Sequence, residues 1–190
     1  MRGVRDLITK LMIYENIKGW FNYESFYDAM IERFDNANFV EIGAWKGKSA
    51  CYMGERLRDT GKNIRYTVVD NFKGSPEEIH KRDPEIINGT LYHTFLNNIS
   101  PLKDYIKVIK GNSEIIYGLF DDNSIDFLFI DGNHEYEAVK QDISLWLPKV
   151  KKGGIISGHD YDLESVKRAV DEIFPDRKIW DKSNVWYKEL

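Results

Sequence analysis

The chain has 190 residues with a net charge of −4, from 31 acidic and 27 basic side chains, and 42% of it is hydrophobic. One compact domain is expected, without the basic bias that a nonspecific nucleic-acid binder directs at phosphates. The single cysteine, Cys51, excludes a disulfide framework or a cysteine-rich zinc site, and no apolar window approaches a membrane span, so a cytoplasmic protein with no membrane partner is expected.

Residues 1–37 read as a helical cap: Val4, Leu7, Ile8, Leu11 and Met12 fall at helical spacing, and Phe26, Met30 and Phe34 repeat every four. The aromatic residues Phe21, Tyr23, Phe26 and Tyr27 suit packing against a sheet, or failing that a homo-oligomer contact. From residue 38 the pattern changes. Short β-branched or aromatic runs recur at 39–42, 64–69, 105–109, 125–130 and 154–157, with amphipathic stretches between them, which is a βαβ series. The continuous run Phe127-Leu128-Phe129-Ile130 predicts strands buried on both faces. At the end, 177–180 and 185–188 flank a short polar connection and predict an antiparallel hairpin. The expected fold is α/β: a Rossmann-like, doubly wound, mostly parallel seven-stranded sheet with N-terminal helices. Residues 71–100 exceed a simple crossover and suit a lid; His80 and His93 within them read as solvated helix histidines.

In open α/β sheets ligands sit beyond the carboxyl ends of the strands. Those five positions here carry Glu41-Ile-Gly43-Ala44-Trp45-Lys-Gly47, Asp70-Asn71-Phe72, Gly111-Asn112-Ser113, Asp131-Gly-Asn-His134 and Gly158-His159-Asp160, all polar or glycine-rich. Gly43 and Gly47 predict a tight strand-to-helix turn that a ligand can approach closely. A dinucleotide fingerprint wants glycine where Trp45 stands, which argues against a nicotinamide cofactor. Asp70, at the second strand end, is placed to accept both hydrogen bonds of a ribose diol. His134 at the start of a predicted helix is the best general base, since a helix N-terminus favours the neutral imidazole.

These motifs, with Leu147-Pro-Lys-Val-Lys-Lys-Gly153-Gly154 before the fifth strand, resemble the class I S-adenosylmethionine-dependent methyltransferases. More narrowly, residues 39–50, 69–74 and Asp131-x-x-His134 resemble the small-molecule O-methyltransferases that include macrolide-sugar and cephalosporin-tailoring enzymes. The resemblance implies S-adenosylmethionine at Gly43, Ala44, Trp45 and Gly47, with Glu41 supporting the loop. It implies Asp70 at the ribose hydroxyls, Asn71 among the cofactor-binding residues, Phe72 near the adenine, and Asn112 or Ser113 at the adenine edge. It also implies Asp131 and His134 in catalysis and a divalent cation, magnesium or another, on Asp131 and Asp160, with His159 where a carboxylate is usual. The acceptor implied is a hydroxyl of a sugar, glycan or other small molecule. A nicotinamide-dependent sugar oxidoreductase and a noncatalytic nucleoside-binding domain are the alternatives from other classes.

Overall fold

The computed structural model describes residues 12–190, so Val4, Leu7, Ile8 and Leu11 lie outside the described residues. Seven strands form one sheet: β1 (Asn36–Ile42), β2 (Asn63–Asp70), β3 (Ile106–Lys110), β4 (Ile125–Ile130), β5 (Val150–Gly158), β6 (Lys178–Ile179) and β7 (Trp186–Glu189). Their spatial order is β3-β2-β1-β4-β5-β7-β6, parallel except where β7 pairs antiparallel with both β5 and β6. The chain therefore winds outward in one direction through β2 and β3, then returns to the other side of β1 with β4. The crevice between β1 and β4 is the topological switch point, where such sheets bind ligands.

The apolar run of β4 explains why the sheet is covered on both faces. Phe127 and Phe129 project into one core layer with Phe26 and Tyr27 of α1 (Glu24–Arg33), and with Met53 and Leu57 of α2 (Lys48–Thr60). Leu128 and Ile130 project into the other, against Val139 and Ile143 of α7 (Tyr136–Trp146) and Val166 and Val170 of α8 (Glu164–Ile173). Successive residues of a strand point to opposite faces, so four apolar residues in a row serve two cores. The N-terminal aromatics pack on the sheet, the Phe26 ring meeting Phe127 at 5.8 Å.

The stretch between β2 and β3 holds α3 (Glu78–Lys81), α4 (Pro84–Ile87) and α5 (Leu91–Ile99), and the shorter α6 (Ser113–Ile116) follows β3. The strand expected at 154–157 begins earlier, at Val150, which pairs with Ile125 before the register shifts. Lys151-Lys152-Gly153 looks like a loop in sequence because the irregularity lets Gly153 turn at φ +82° there.

Candidate active site

Loops after β1, β2, β3 and β4 line a cavity of about 270 Å³ at the switch point. Ala44, Trp45, Asp70, Asn71, Asn112, Ser113 and Asp131 all contribute to its wall. Gly47 and Phe72 do not. Gly47 caps α2 with φ +86°, and a Cβ there would sit 3.0 Å from the Phe95 ring. Phe72 is buried against Phe95 and Tyr92, with ring centroids 4.9 and 4.8 Å apart, and so packs in the core.

Gly43 and Asp70 both line the cavity and have structural reasons beside the ligand contacts expected of them. Gly43 turns at φ +84°, and a Cβ on it would lie 2.0 Å from the Asp131 carbonyl oxygen. The glycine is therefore required by close backbone packing between the ends of β1 and β4, before any ligand arrives. Gly43→Ala is expected to lower the melting temperature, with the backbone conformation alone costing about 1–2 kcal/mol and the overlap more; thermal denaturation without ligand checks this.

Asp70, expected to hold a ribose, lines the cavity and also braces the first loop. Its Oδ2 accepts the amides of Ala44 (2.8 Å) and Trp45 (3.0 Å), and its Oδ1 accepts that of Phe72 (2.6 Å). With two acceptor sites per oxygen, one remains for a ligand. The brace holds Trp45 at φ +44°, a conformation its side chain disfavours. Burial raises the Asp70 carboxyl despite these amides.

Glu41 is buried beneath the loop and does not reach the cavity. It accepts the Ser49 hydroxyl at 2.5 Å and the Tyr66 hydroxyl. Burial pushes its carboxyl up to about 8, against the lowering effect of Ser49. A buried acid with a raised value binds its proton more tightly folded than unfolded, so this contribution to stability is full below the unfolded value and fades as pH rises towards 8. Glu41→Gln is expected to flatten the loss of stability between about pH 4.5 and 8, read by denaturant titration across that window.

The ends of β4 and β5 bring charged groups together. His134 Nε2 lies 3.0 Å from Asp160 Oδ2 and 3.6 Å from Asp131 Oδ1, and its Nδ1 is 2.5 Å from Glu77 Oε1. Helix α7 begins only at Tyr136, and it does not keep this imidazole neutral. Burial opposes the charge on His134, but the facing carboxylates of Asp131 and Asp160 outweigh it and push the ring up to about 11. Burial likewise works against Asp160, yet His134 and His159 hold its carboxyl well below the usual range. His159 is buried, with Nδ1 3.2 Å from Asp160 Oδ2 and Nε2 3.0 Å from Asn22 Oδ1. Burial opposes its charge as well, but Asp160 and Asp131 raise it.

Asp131, His134 and Asp160 each offer one atom to a cluster spanning 4.8 Å or less, a set able to hold a metal ion. His134 Nε2 is buried and makes no well-formed hydrogen bond, although two carboxylate oxygens face it. A ring nitrogen whose opposite atom is tied to a carboxylate, and which itself shares a space with two more, has the usual surroundings of a metal-binding histidine. The expected set of Asp131, His159 and Asp160 thus keeps its two aspartates, while His134 stands nearer the shared space than the tethered His159.

Three contributors carry no sequence signal of their own. Tyr23 donates its hydroxyl to Asp131 Oδ2 at 3.0 Å. Glu77 arrives from the long β2–β3 connection. His80, read in sequence as solvated, lines the cavity and lies 2.6 Å from the Ser75 hydroxyl. His93 is exposed, as expected.

A methyltransferase-domain family model matches residues 40–161. The chain is 30% identical over 148 residues to uncharacterized protein R132 of Acanthamoeba polyphaga mimivirus, covering 75% of this chain and 61% of R132. It is 27% identical over 161 residues to 8-demethyl-8-(2,3-dimethoxy-alpha-L-rhamnosyl)-tetracenomycin-C 4'-O-methyltransferase of Streptomyces olivaceus, covering 71% of this chain and 57% of that enzyme. The chain spans about three fifths of the length of these curated relatives. Among solved structures, the O-methyltransferase NovP superposes with a TM-score of 0.69 at 22% identity, over 88% of this chain and 77% of NovP, and so shares its fold.

Proposed function

The chain belongs to the methyltransferase-domain family, and on that footing we propose that it transfers a methyl group from S-adenosylmethionine to a hydroxyl of a sugar, glycan or other small molecule. The observation that carries this reading is the cavity at the switch point, whose wall includes Asp131 of the Asp131-His134-Asp160 cluster. Its volume of about 270 Å³ is near the lower end of small-molecule sites. Asn71, Asn112 and Ser113 supply polar groups for a nucleoside, and Ala44, Trp45 and Asp131 lie towards the catalytic cluster. S-adenosylmethionine, when bound, supplies an electrophilic methyl group. The chain's own task is then to align a hydroxyl and remove its proton.

His134 is the base in this reading, oriented through Nδ1 by Glu77 in the manner of a histidine held by a carboxylate. With Asp131 and Asp160 facing it bare, the ring stays protonated. Charge compensation of those two carboxylates lets it lose the proton and accept one from the acceptor. Asp131 and Asp160 would hold a divalent cation, which would lower the pKa of a bound hydroxyl while His134 takes its proton; service as a third ligand is the alternative to that role for the same nitrogen. Two carboxylates suit magnesium; the imidazole nitrogen shifts preference towards zinc, iron or nickel. The Streptomyces olivaceus relative is named for O-methylation at a 4' position of a rhamnosyl compound, which supports a sugar hydroxyl as first choice of acceptor.

Calorimetry with S-adenosylhomocysteine, followed by an acceptor screen with methyl-labelled cofactor, tests the proposal. Binding in the micromolar range and label transfer to a hydroxyl compound are expected. Absence of heat at millimolar ligand overturns the class of reaction. Binding without transfer to any glycoside or phenol in the screen favours a noncatalytic nucleoside-binding domain.

A further inference from the structure

Trp20 is 60% exposed, and its ring stacks on Trp45 with centroids 5.1 Å apart and planes 24° from parallel. Both indoles line a small cavity of about 80 Å³ that also touches Tyr23, His80, Asp131 and His134. The same two indoles line a wider groove of about 690 Å³ that continues outward past Ile79, Arg82 and Pro84. The groove therefore starts where the space beside the catalytic cluster ends. Resting on the methyltransferase reading, we propose that Trp20 and Trp45 form the platform for the sugar ring of the methyl acceptor, with the reacting hydroxyl reaching into the small cavity.

The surroundings decide what kind of ring fits. Lys46, on the groove wall, is already paired with Asp83 at 2.8 Å and Glu85 at 3.1 Å, and Arg82 with Glu78 at 3.5 Å. Two of the groove's three cations are so compensated, and the third, the exposed Lys18, makes no ion pair among the described residues; one exposed lysine gives little grip on a phosphate, so an uncharged ring fits better than a nucleotide. A pyranose has an apolar C–H face for the exposed indole and hydroxyls for the polar rim. Asp70 accepts the Ala44 and Trp45 amides and so fixes the backbone that carries the lower indole, on which Trp20 is already stacked, so the platform is formed before the acceptor arrives.

Saturation-transfer NMR with methyl α-L-rhamnopyranoside on the full chain tests this, with uridine 5′-diphosphate as the charged comparator. Transfer concentrated on the protons of one ring face is expected, with affinity weakened about tenfold in Trp20→Ala and largely kept in Trp20→Phe. Because Trp20 is exposed, the variant should fold as the wild type does, and its affinity for S-adenosylhomocysteine should not change. No transfer in the wild type, equal affinity in Trp20→Ala, or equal losses in Trp20→Ala and Trp20→Phe would overturn the platform. Tighter binding of uridine 5′-diphosphate, lost in Trp20→Ala, would overturn the uncharged ring. Failure of the methyltransferase reading shows separately, as absence of S-adenosylhomocysteine binding, whatever the glycoside does.

Discussion

His134→Ala is expected to lower turnover about 10²–10⁴-fold while S-adenosylhomocysteine binds it nearly as tightly as the wild type. The imidazole faces Asp131 and Asp160 rather than the polar groups of Asn71, Asn112 and Ser113, so its loss removes a proton acceptor and leaves the nucleoside contacts in place. Glu77→Gln gives a finer reading. Glutamine can still accept a hydrogen bond from Nδ1–H through its amide oxygen but lacks the charge that stabilises the imidazolium formed when the acceptor's proton arrives. A smaller loss in kcat than for His134→Ala, with little change in KM, is therefore expected. Initial rates with labelled cofactor and an acceptor found in the screen, alongside calorimetry on the same variants, measure both effects. Full activity in His134→Ala removes the base from the mechanism.

The sheet was legible because its signals are local. Strand runs such as 125–130 are set by alternating contact with two core layers, and the final hairpin by a short polar connection. The site was legible only where the chain itself ends a strand. Asp131, His134 and Asp160 stand just past the ends of β4 and β5, which the switch point brings together, so strand ends alone were enough to find them. Glu77, Tyr23 and Asn22 could not be found that way, because they arrive from a long connection and from the N-terminal segment, and no spacing rule links Glu77 to His134, 57 residues away. Gly43 and Asp70 show a different limit. Both residue types point to a ligand, yet a Cβ on Gly43 meets the Asp131 backbone, and Asp70 accepts three hydrogen bonds from the chain's own amides. The protonation of His134 depends on two carboxylates at strand ends, which outweigh any helix terminus.

Chelation is expected to abolish turnover, and manganese to restore it in the wild type but not in Asp160→Ala. Asp160 offers Oδ2 to the space that His134 Nε2 and Asp131 Oδ1 also face, so its removal leaves one carboxylate and one imidazole, too few oxygens to hold a hard cation. Manganese binding followed by electron paramagnetic resonance gives a readout independent of activity, with affinity in Asp160→Ala reduced at least about 10–100-fold. The same titration on His134→Ala separates the two parts this ring could play. Unchanged manganese affinity with lost turnover makes it a base; weakened affinity makes it a ligand. His159 supplies the remaining test. Its Nδ1 lies 3.2 Å from Asp160 Oδ2, so His159→Glu adds a third carboxylate beside the cluster and should raise magnesium affinity if metal binds there at all. Full activity in chelator, together with no manganese signal in either protein, would leave His134 working without a metal and Asp160 serving to orient it.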